Sequence, residues 1–202
     1  SDNTDALQRI YMQWGASYFF PAIAMASHIS AAPNHQTFRT IPLKYRIDVA
    51  MSGFFNDTAT TEIYTGEEKE LCRKAIADYK MIRPVVQLGD IYRLLSPYDR
   101  LGAASLMYVA PEKEKAVFYW WKTEHFCNQH LPRTRMAGLH PDKIYKVTEL
   151  NRIDNQPLDY EGKAFSGAYL MANGLEMPYN HKVDYHKLSD YSSRVLYLEE
   201  VK

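Results

Sequence analysis

Apolar residues near the start of the chain follow the spacing of one helix face. They fall at positions i, i+3, i+4 and i+7: Leu7, Ile10, Tyr11 and Trp14. Asp5 precedes this face and Gln8 lies three residues after Asp5, a pair that resembles a capping box. We therefore expect an amphipathic helix that begins at Asp5.

Two further helices are predicted within the first ninety residues. Thr40 has the chemistry of an N-cap, Pro42 fits the first helical turn, and Gly53 ends this helix. The next helix begins at Gly66 with two glutamates, which favour the positive end of the helix dipole, and ends at Pro84. Its buried side is predicted to comprise Leu71, Ala75, Tyr79 and Ile82.

A nearly continuous apolar run occupies residues 21–30, between the first two predicted helices. A run without polar alternation is typical of a strand that is buried on both faces of a parallel sheet. Helices that alternate with such strands predict an α/β fold for this part of the chain.

After Gly89 the hydrophobic period changes to two, which is the period of β-strands. The stretches with this pattern are residues 106–109, 116–121, 144–149, 168–172 and 195–198. A charged turn over residues 111–115 separates the first two. Short strands at this spacing predict an antiparallel β-sandwich, so the whole chain is expected to be α/β followed by all-β.

Charge and hydropathy exclude some classes of partner. The chain has 24 Lys and Arg against 24 Asp and Glu, so its formal net charge is zero. Nucleic-acid binders need a basic face and anionic membranes attract polybasic segments, so we expect neither as a partner. The longest apolar stretch, residues 18–32, is too short and too interrupted to span a bilayer. The start lacks both an initiator Met and a signal peptide, which leads us to expect that the chain begins inside a longer protein.

Cysteine and histidine residues give no strong metal or disulfide signal. The two cysteines, Cys72 and Cys127, cannot build a disulfide scaffold, and either two buried thiols or one disulfide would satisfy the sequence. His125, Cys127 and His130 form the closest cluster among the seven histidines, but a metal site needs a fixed set of three or four ligands. We interpret this cluster as structural and expect no metal.

The polar segment before the first helix contains the best candidate for chemistry. Asp5 is placed to cap the helix, whereas Asp2 lies three residues earlier, too far back for the same cap. In a (β/α)8 barrel, loops that precede helices lie on the catalytic face. From composition alone, however, a loop aspartate is more often simply solvated.

A resemblance to a known family changes this assessment. The motif Ser1-Asp2-Asn3-Thr4-Asp5 resembles one found in glycoside hydrolase family 36, the bacterial α-galactosidases. The similarity continues in order along nearly the whole chain, through residues 24–30, 33–37, 42–53, 67–70, 89–94, 145–149 and 167–171. Each fragment alone is weak, but the ordered set is specific.

The resemblance implies a fold and a division into domains. Residues 1–88 would be the last βα units of the (β/α)8 catalytic barrel, and residues 89–202 would be the C-terminal antiparallel β-sandwich domain. The chain would thus be a C-terminal fragment of a three-domain enzyme.

The resemblance also implies an activity. The intact enzyme would hydrolyse terminal α-galactose from oligosaccharides of the melibiose and raffinose type, with retention of configuration. Asp2 would be the general acid/base, and the nucleophile would be the Asp of a Lys-Trp-Asp motif, which does not occur in this chain. The fragment alone is therefore expected to be inactive. No cofactor is implied; the parent would be a homo-oligomer, cytoplasmic in most of the family and periplasmic in the exceptions.

One segment, residues 54–65, breaks this resemblance. The family continues here with a Gly-containing strand of the type Arg-Leu-Gly-Met-Glu, the last barrel strand. This chain instead has two phenylalanines followed by an Asn-Asp pair and a Thr-rich tract, which resembles a translated sequencing-adapter segment. We interpret residues 54–65 as non-native sequence, and the eighth strand is in doubt; natural divergence in a loop is the other interpretation.

A second hypothesis is a non-catalytic carbohydrate-binding or interaction module. Its support is the content of 27 aromatic residues and the run Tyr119-Trp120-Trp121, which could form a stacking surface for sugar rings. Adjacent strand residues point to opposite faces, so we interpret this run as sandwich core instead.

Overall fold

The computed structural model describes residues 5–55, 66–124, 133–152, 157–177 and 191–201. The described residues form four α-helices: α1 Ala6–Ala16, α2 Leu43–Ala50, α3 Gly66–Leu88 and α4 Gly167–Asn173. They also form eight strands: β1 Ala26–Ser27, β2 Phe54–Phe55, β3 Asp90–Leu95, β4 Ala103–Val109, β5 Lys115–Lys122, β6 Ile144–Leu150, β7 Ala164–Ser166 and β8 Ser193–Glu200. In the part of the chain that these ranges cover, no helix has the length and apolarity needed to cross a membrane.

Helix α1 begins as the sequence predicts. The Asp5 side chain accepts a hydrogen bond from the backbone N–H of Gln8 at 2.9 Å, and Ile10 and Trp14 are buried. This cap satisfies one of the backbone donors that every helix start leaves without an intrahelical partner.

The predicted N-cap of α2 was wrong. Pro42, not Thr40, is the residue before the first helical position, and its backbone is extended. The physical reason is Ile41, which precedes a proline: the proline ring disfavours helical backbone at the residue before it. Ile41 therefore cannot be the first helical residue, which excludes Thr40 as the N-cap.

The prediction that Pro84 ends the third helix was also wrong, because α3 continues to Leu88. Proline inside a helix removes one backbone hydrogen bond and crowds the preceding turn. In α3 the residues that follow, Val85 and Val86, are buried in the core, and their burial offsets that loss.

The long buried strand predicted for residues 21–30 is not formed. A 3₁₀-helix over Ala22–Ala24 follows Pro21, and only Ala26–Ser27 is a strand, β1. It pairs in parallel with β2, Ala26 opposite Phe54 and Ser27 opposite Phe55. Within the described residues, β1 has one neighbouring strand, β2. Much of the apolar run over residues 21–30 is therefore exposed and is not covered on both faces.

The antiparallel prediction for the second half is confirmed. Six strands form one sheet in the order β3-β4-β5-β8-β6-β7, and every neighbouring pair is antiparallel. The strand predicted over residues 168–172 was wrong, because this stretch lies in α4. Ser166 caps that helix by accepting from the Tyr169 N–H at 3.1 Å, and the alanine, leucine and methionine of the stretch are good helix formers.

The six-stranded sheet is buried on both faces. Alternate residues of β5 divide between two cores: Tyr119 and Trp121 pack towards the helices, whereas Phe118 and Trp120 pack into the opposite core. All four rings are buried. The core interpretation of Tyr119-Trp120-Trp121 is therefore confirmed, and these rings offer no surface to a sugar.

Buried tyrosines attach the helical part to the sheet. The hydroxyls of Tyr108 and Tyr119 each donate to a carbonyl just after α2, of Ser52 and Met51 respectively, at 2.8 Å. Tyr45 of α2 donates in return to the carbonyl of Lys122 at 2.9 Å. Burial raises the pKa of the Tyr119 hydroxyl well above its ordinary value, which favours the protonated form that donates this hydrogen bond.

A buried aspartate in α2 forms a second attachment. The Asp48 carboxylate is fully buried and accepts from Lys44 Nζ at 2.7 Å within its own helix. From the sheet side it accepts from Ser193 Oγ at 2.7 Å and from Asn151 Nδ2 at 3.0 Å. A single side chain thus joins α2, the end of β6 and the start of β8.

Candidate functional site

The loop of residues 28–42 runs from the end of β1 into α2. In parallel β/α folds, the loops that run from a strand into the next helix lie at the carboxyl ends of the strands, and active sites form there. The candidate site therefore lies at this edge.

The Asp5 side chain forms several hydrogen bonds at this edge. Its Oδ1 accepts from the Gln8 N–H and from Arg39 Nη1 at 3.1 Å, and its Oδ2 accepts from Thr37 Oγ1 at 2.5 Å. The carboxylate is buried. With both oxygens engaged, Asp5 is a structural residue that ties the start of α1 to the following loop.

The predicted acid/base Asp2 lies outside the described residues.

The loop between β1 and α2 is closed by its own hydrogen bonds. The Asn34 side chain is buried and accepts from the N–H groups of Gln36 and Thr37 at 2.9 and 3.0 Å. The Asn34 backbone donates to the Arg39 carbonyl and accepts from the Phe38 N–H, both at 2.8 Å. Arg46 of α2 donates to the carbonyls of Ser30 and Ile41 and so joins the two ends of the loop.

Two polar side chains of α1 form hydrogen bonds with β1. Gln13 Nε2 donates to Ser27 Oγ at 2.9 Å, and Gln13 Oε1 accepts from Ser52 Oγ at 3.2 Å. Arg9 Nη2 donates to the Ala26 carbonyl at 2.8 Å. Sequence reasoning did not assign these contacts. The available signal was the i, i+4 spacing of Arg9 and Gln13, which puts both beside the apolar face of α1.

His28 follows β1 directly and is half-buried at the same edge. Burial lowers the pKa of its imidazole, and the nearby positive charge of Arg9 lowers it further. The ring is therefore neutral at neutral pH, with one nitrogen able to donate and the other able to accept.

Metal ligands do not cluster in the described ranges. Residues 5–55, 66–124, 133–152, 157–177 and 191–201 hold no group of three or more His, Cys, Asp or Glu residues that could bind a metal ion. His125, Cys127 and His130 lie outside those ranges. Cys72 is a buried free thiol, and burial raises its pKa.

A cleft of about 230 Å³ lies away from this edge. Its lining includes Tyr18, Phe20 and Ala22, which connect the end of α1 to the start of β1. Loops of this kind lie at the amino ends of the strands, the side that serves stability in such folds. The cleft is therefore not the candidate site.

The start of segment 54–65 takes the position of a strand. Phe54 is 41% exposed and Phe55 is 6% exposed, so one ring of the pair faces away from the core, as expected from strand alternation. Residues 56–65 lie outside the described residues.

Comparison with known proteins matches this arrangement to an enzyme class. The family model described as Melibiase matches residues 1–89, and the model described as the glycosyl hydrolase family 36 C-terminal domain matches residues 103–198. Helices with parallel strands followed by an antiparallel sheet, together with these matches, define part of a glycoside hydrolase.

Relatives resemble the chain along its whole length. A probable alpha-galactosidase C of Aspergillus terreus is 35% identical over 100% of this chain and 24% of its own length. Alpha-galactosidase AgaA of Geobacillus stearothermophilus is 34% identical over 100% of this chain and 25% of its own length. The crystal structure of AgaA superimposes with a TM-score of 0.82 over 100% of this chain and 25% of that one.

The chain belongs to glycoside hydrolase family 36. It spans about a quarter of the length of the relatives it matches. The family resemblance read from the sequence is confirmed, and the relatives include fungal as well as bacterial proteins.

Proposed function

We propose that this chain is the C-terminal part of a retaining α-galactosidase. Residues 1–88 would complete a (β/α)8 catalytic barrel, and residues 89–202 would form the C-terminal domain, closed as an antiparallel β-sandwich. The observation that carries this proposal is the binding of Asp5, the last residue of the Ser1-Asp2-Asn3-Thr4-Asp5 motif, to Thr37 and Arg39 of the loop between β1 and α2.

In this mechanism Asp2 acts twice. As an acid it protonates the glycosidic oxygen while a nucleophilic carboxylate attacks the anomeric carbon, which forms a covalent galactosyl-enzyme and releases the leaving group. As a base it then removes a proton from the water that hydrolyses this intermediate. The nucleophile comes from outside the chain, since no Lys-Trp-Asp motif occurs within it.

The contacts of Asp5 support this assignment of roles. The motif contains two carboxylates, Asp2 and Asp5. The Asp5 carboxylate accepts hydrogen bonds from Gln8, Thr37 and Arg39. The acid/base must instead be free to exchange a proton with the substrate and with water. Asp2 is the remaining carboxylate of the motif.

The substrate class follows from the relatives. Variants of Geobacillus stearothermophilus AgaA have been crystallised in complex with raffinose and with stachyose. We propose that the full-length protein acts on oligosaccharides that end in α-galactose, without a cofactor. We further propose that it is a homo-oligomer of the cytoplasm, with the periplasm as the alternative.

The anomeric form of the first product tests this function. Proton NMR of the full-length protein acting on raffinose should show α-galactose first and the β form only after mutarotation. The 202-residue chain alone should release no galactose, because half of the carboxylate pair is missing. Release of β-galactose first, or binding of galactosides without hydrolysis, would contradict the proposal; the second result would favour a carbohydrate-binding module.

We also propose that residues 54–65 are not the natural sequence of this protein. A barrel strand buried on both faces needs a near-continuous apolar run, whereas Asn56, Asp57 and a Thr-rich tract follow the two phenylalanines. Resequencing the locus from an independent template should give a Gly-containing apolar stretch in place of residues 54–65. Recovery of the present residues, together with an active full-length protein, would show that the segment is a natural loop.

A further inference from the structure

A buried carboxylate joins β6 to β8, and only one of its oxygens is hydrogen-bonded within the described residues. Glu149 lies near the end of β6, and its Oε1 accepts from Arg194 Nη1 of β8 at 2.8 Å. The Glu149 side chain is fully buried. Its Oε2 is buried too and has no hydrogen-bond partner among the described residues. A carboxylate oxygen that has lost water without gaining a donor disfavours the ionised form.

The burial of this oxygen does not depend on protein outside the chain. A surface side chain can be covered when more protein is added, whereas an atom that is already buried stays buried. Residues beyond this chain therefore cannot reach Glu149 Oε2, and its environment is a property of the chain itself.

The charged groups around Glu149 come from three parts of the fold. Lys44 and Asp48 belong to α2, and Arg194 belongs to β8. Glu161, between β6 and β7, accepts from the Glu149 backbone N–H at 2.8 Å. In the described part of the chain the carboxylates of this group thus outnumber its cations, which favours a proton on one of them.

Burial raises the pKa of the Glu149 carboxyl above its ordinary value of 4.5. The positive charges of Arg194 and Lys44 oppose this rise, and the negative charge of Asp48 adds to it. Tyr160, which also faces this group, stays neutral because burial raises its pKa. In the unfolded chain the Glu149 carboxyl regains water, so the folded chain binds its proton more tightly.

We propose that Glu149 is a pH-sensitive attachment between β6 and β8, firm while a proton occupies Oε2 and weaker once that proton is lost. The proton leaves the bond from Arg194 to Oε1 intact. Asn151 and Ser193, next to this pair in sequence, bind Asp48, so the same proton acts beside the attachment of α2 to the sheet. The inference concerns folding and does not depend on the proposed function.

The direction of the pH dependence follows from linkage. A carboxyl whose pKa is raised by folding stabilises the folded chain fully below its ordinary pKa of 4.5. That stabilisation is lost as the pH rises through the raised pKa of the folded state. The junction of β6 and β8 should therefore open more readily at alkaline pH than in mild acid.

Amide hydrogen exchange of the full-length protein, followed by mass spectrometry, tests this attachment. Glu149→Gln keeps an acceptor for Arg194 and is neutral, so it imitates the protonated carboxyl. At about pH 8 the amides of β6 and β8 should exchange about 3–10-fold more slowly in the variant than in the wild type. The two rates should become equal as the pH falls towards 4.5, because the wild type then carries the proton. Comparison at the same pH cancels the direct effect of pH on exchange.

Glu200→Gln is the matched control on the same strand. Glu200 of β8 pairs with Lys143 at 3.0 Å, but both side chains are 25% exposed. Its removal loses an attraction and relieves no buried charge, so exchange should not slow at any pH. Faster exchange in Glu149→Gln at about pH 8, a difference that does not change with pH, or the same trend in Glu200→Gln would overturn the proposal. So would a Glu149→Gln variant that does not fold, because the neutral side chain is the form that should hold the strands more firmly.

Discussion

Asp2→Ala in the full-length protein is expected to lower kcat/KM for raffinose by about 10²–10⁴-fold, the usual contribution of a general acid/base. Nitrophenyl α-galactoside should be affected much less in the glycosylation step, because nitrophenolate leaves without a proton from the enzyme. The galactosyl-enzyme should then accumulate, since no base activates water. Added azide, which needs no base, should restore turnover and yield galactosyl azide.

Asp5→Ala is the control for this experiment. It removes the cap of α1 and the contacts to Thr37 and Arg39, so it should lower the free energy of unfolding by about 1–2 kcal/mol or more. Any loss of activity should be similar for both substrates and should not respond to azide. If Asp5→Ala shows azide rescue and Asp2→Ala does not, the assignment of the acid/base is wrong.

Asp48→Ala is expected to lower the free energy of unfolding by about 3–5 kcal/mol. The substitution removes the acceptor of Lys44, Ser193 and Asn151 in a place where water cannot replace it. The loss should appear as a lower denaturant midpoint in equilibrium chemical unfolding of the full-length protein, followed by near-ultraviolet circular dichroism.

Glu70→Ala provides the comparison for Asp48. Glu70 also forms an ion pair within a helix, with Arg73 at 3.1 Å, but both side chains are 74% exposed. Solvent screens this pair, so its removal should change the free energy of unfolding by less than about 1 kcal/mol. Equal midpoints for the two variants would show that the buried attachment of α2 to the sheet contributes no more than a surface pair.

Local signals predicted part of the fold correctly. The cap and apolar spacing of α1, and the two aromatic strands joined by a charged turn, are decided by residues close in sequence, and both are present in the structure. Pro84 and residues 168–172 were misjudged because tertiary context decides them: burial of Val85 and Val86 carries α3 past the proline, and the Ser166 cap directs the next residues into a helix.

The candidate site was less accessible to sequence reasoning. The motif that contains Asp2 drew attention through family resemblance, not through any pattern of spacing. The contacts of Asp5 with Thr37 and Arg39 join residues 32 and 34 positions apart, and no local rule relates them. The left-handed backbone of Phe38 likewise results from the closed turn at Asn34 and is not a preference of phenylalanine.

The place of β8 in the sheet has a consequence for biosynthesis. It is the last of the described strands in sequence, yet it lies between β5 and β6 and pairs with both. During translation, β5 and β6 each have one edge without a paired strand. Both edges stay unpaired until β8, Ser193–Glu200, has left the ribosome. A nonsense mutation just before Ser193 would leave two exposed ladders and a nascent protein prone to aggregation.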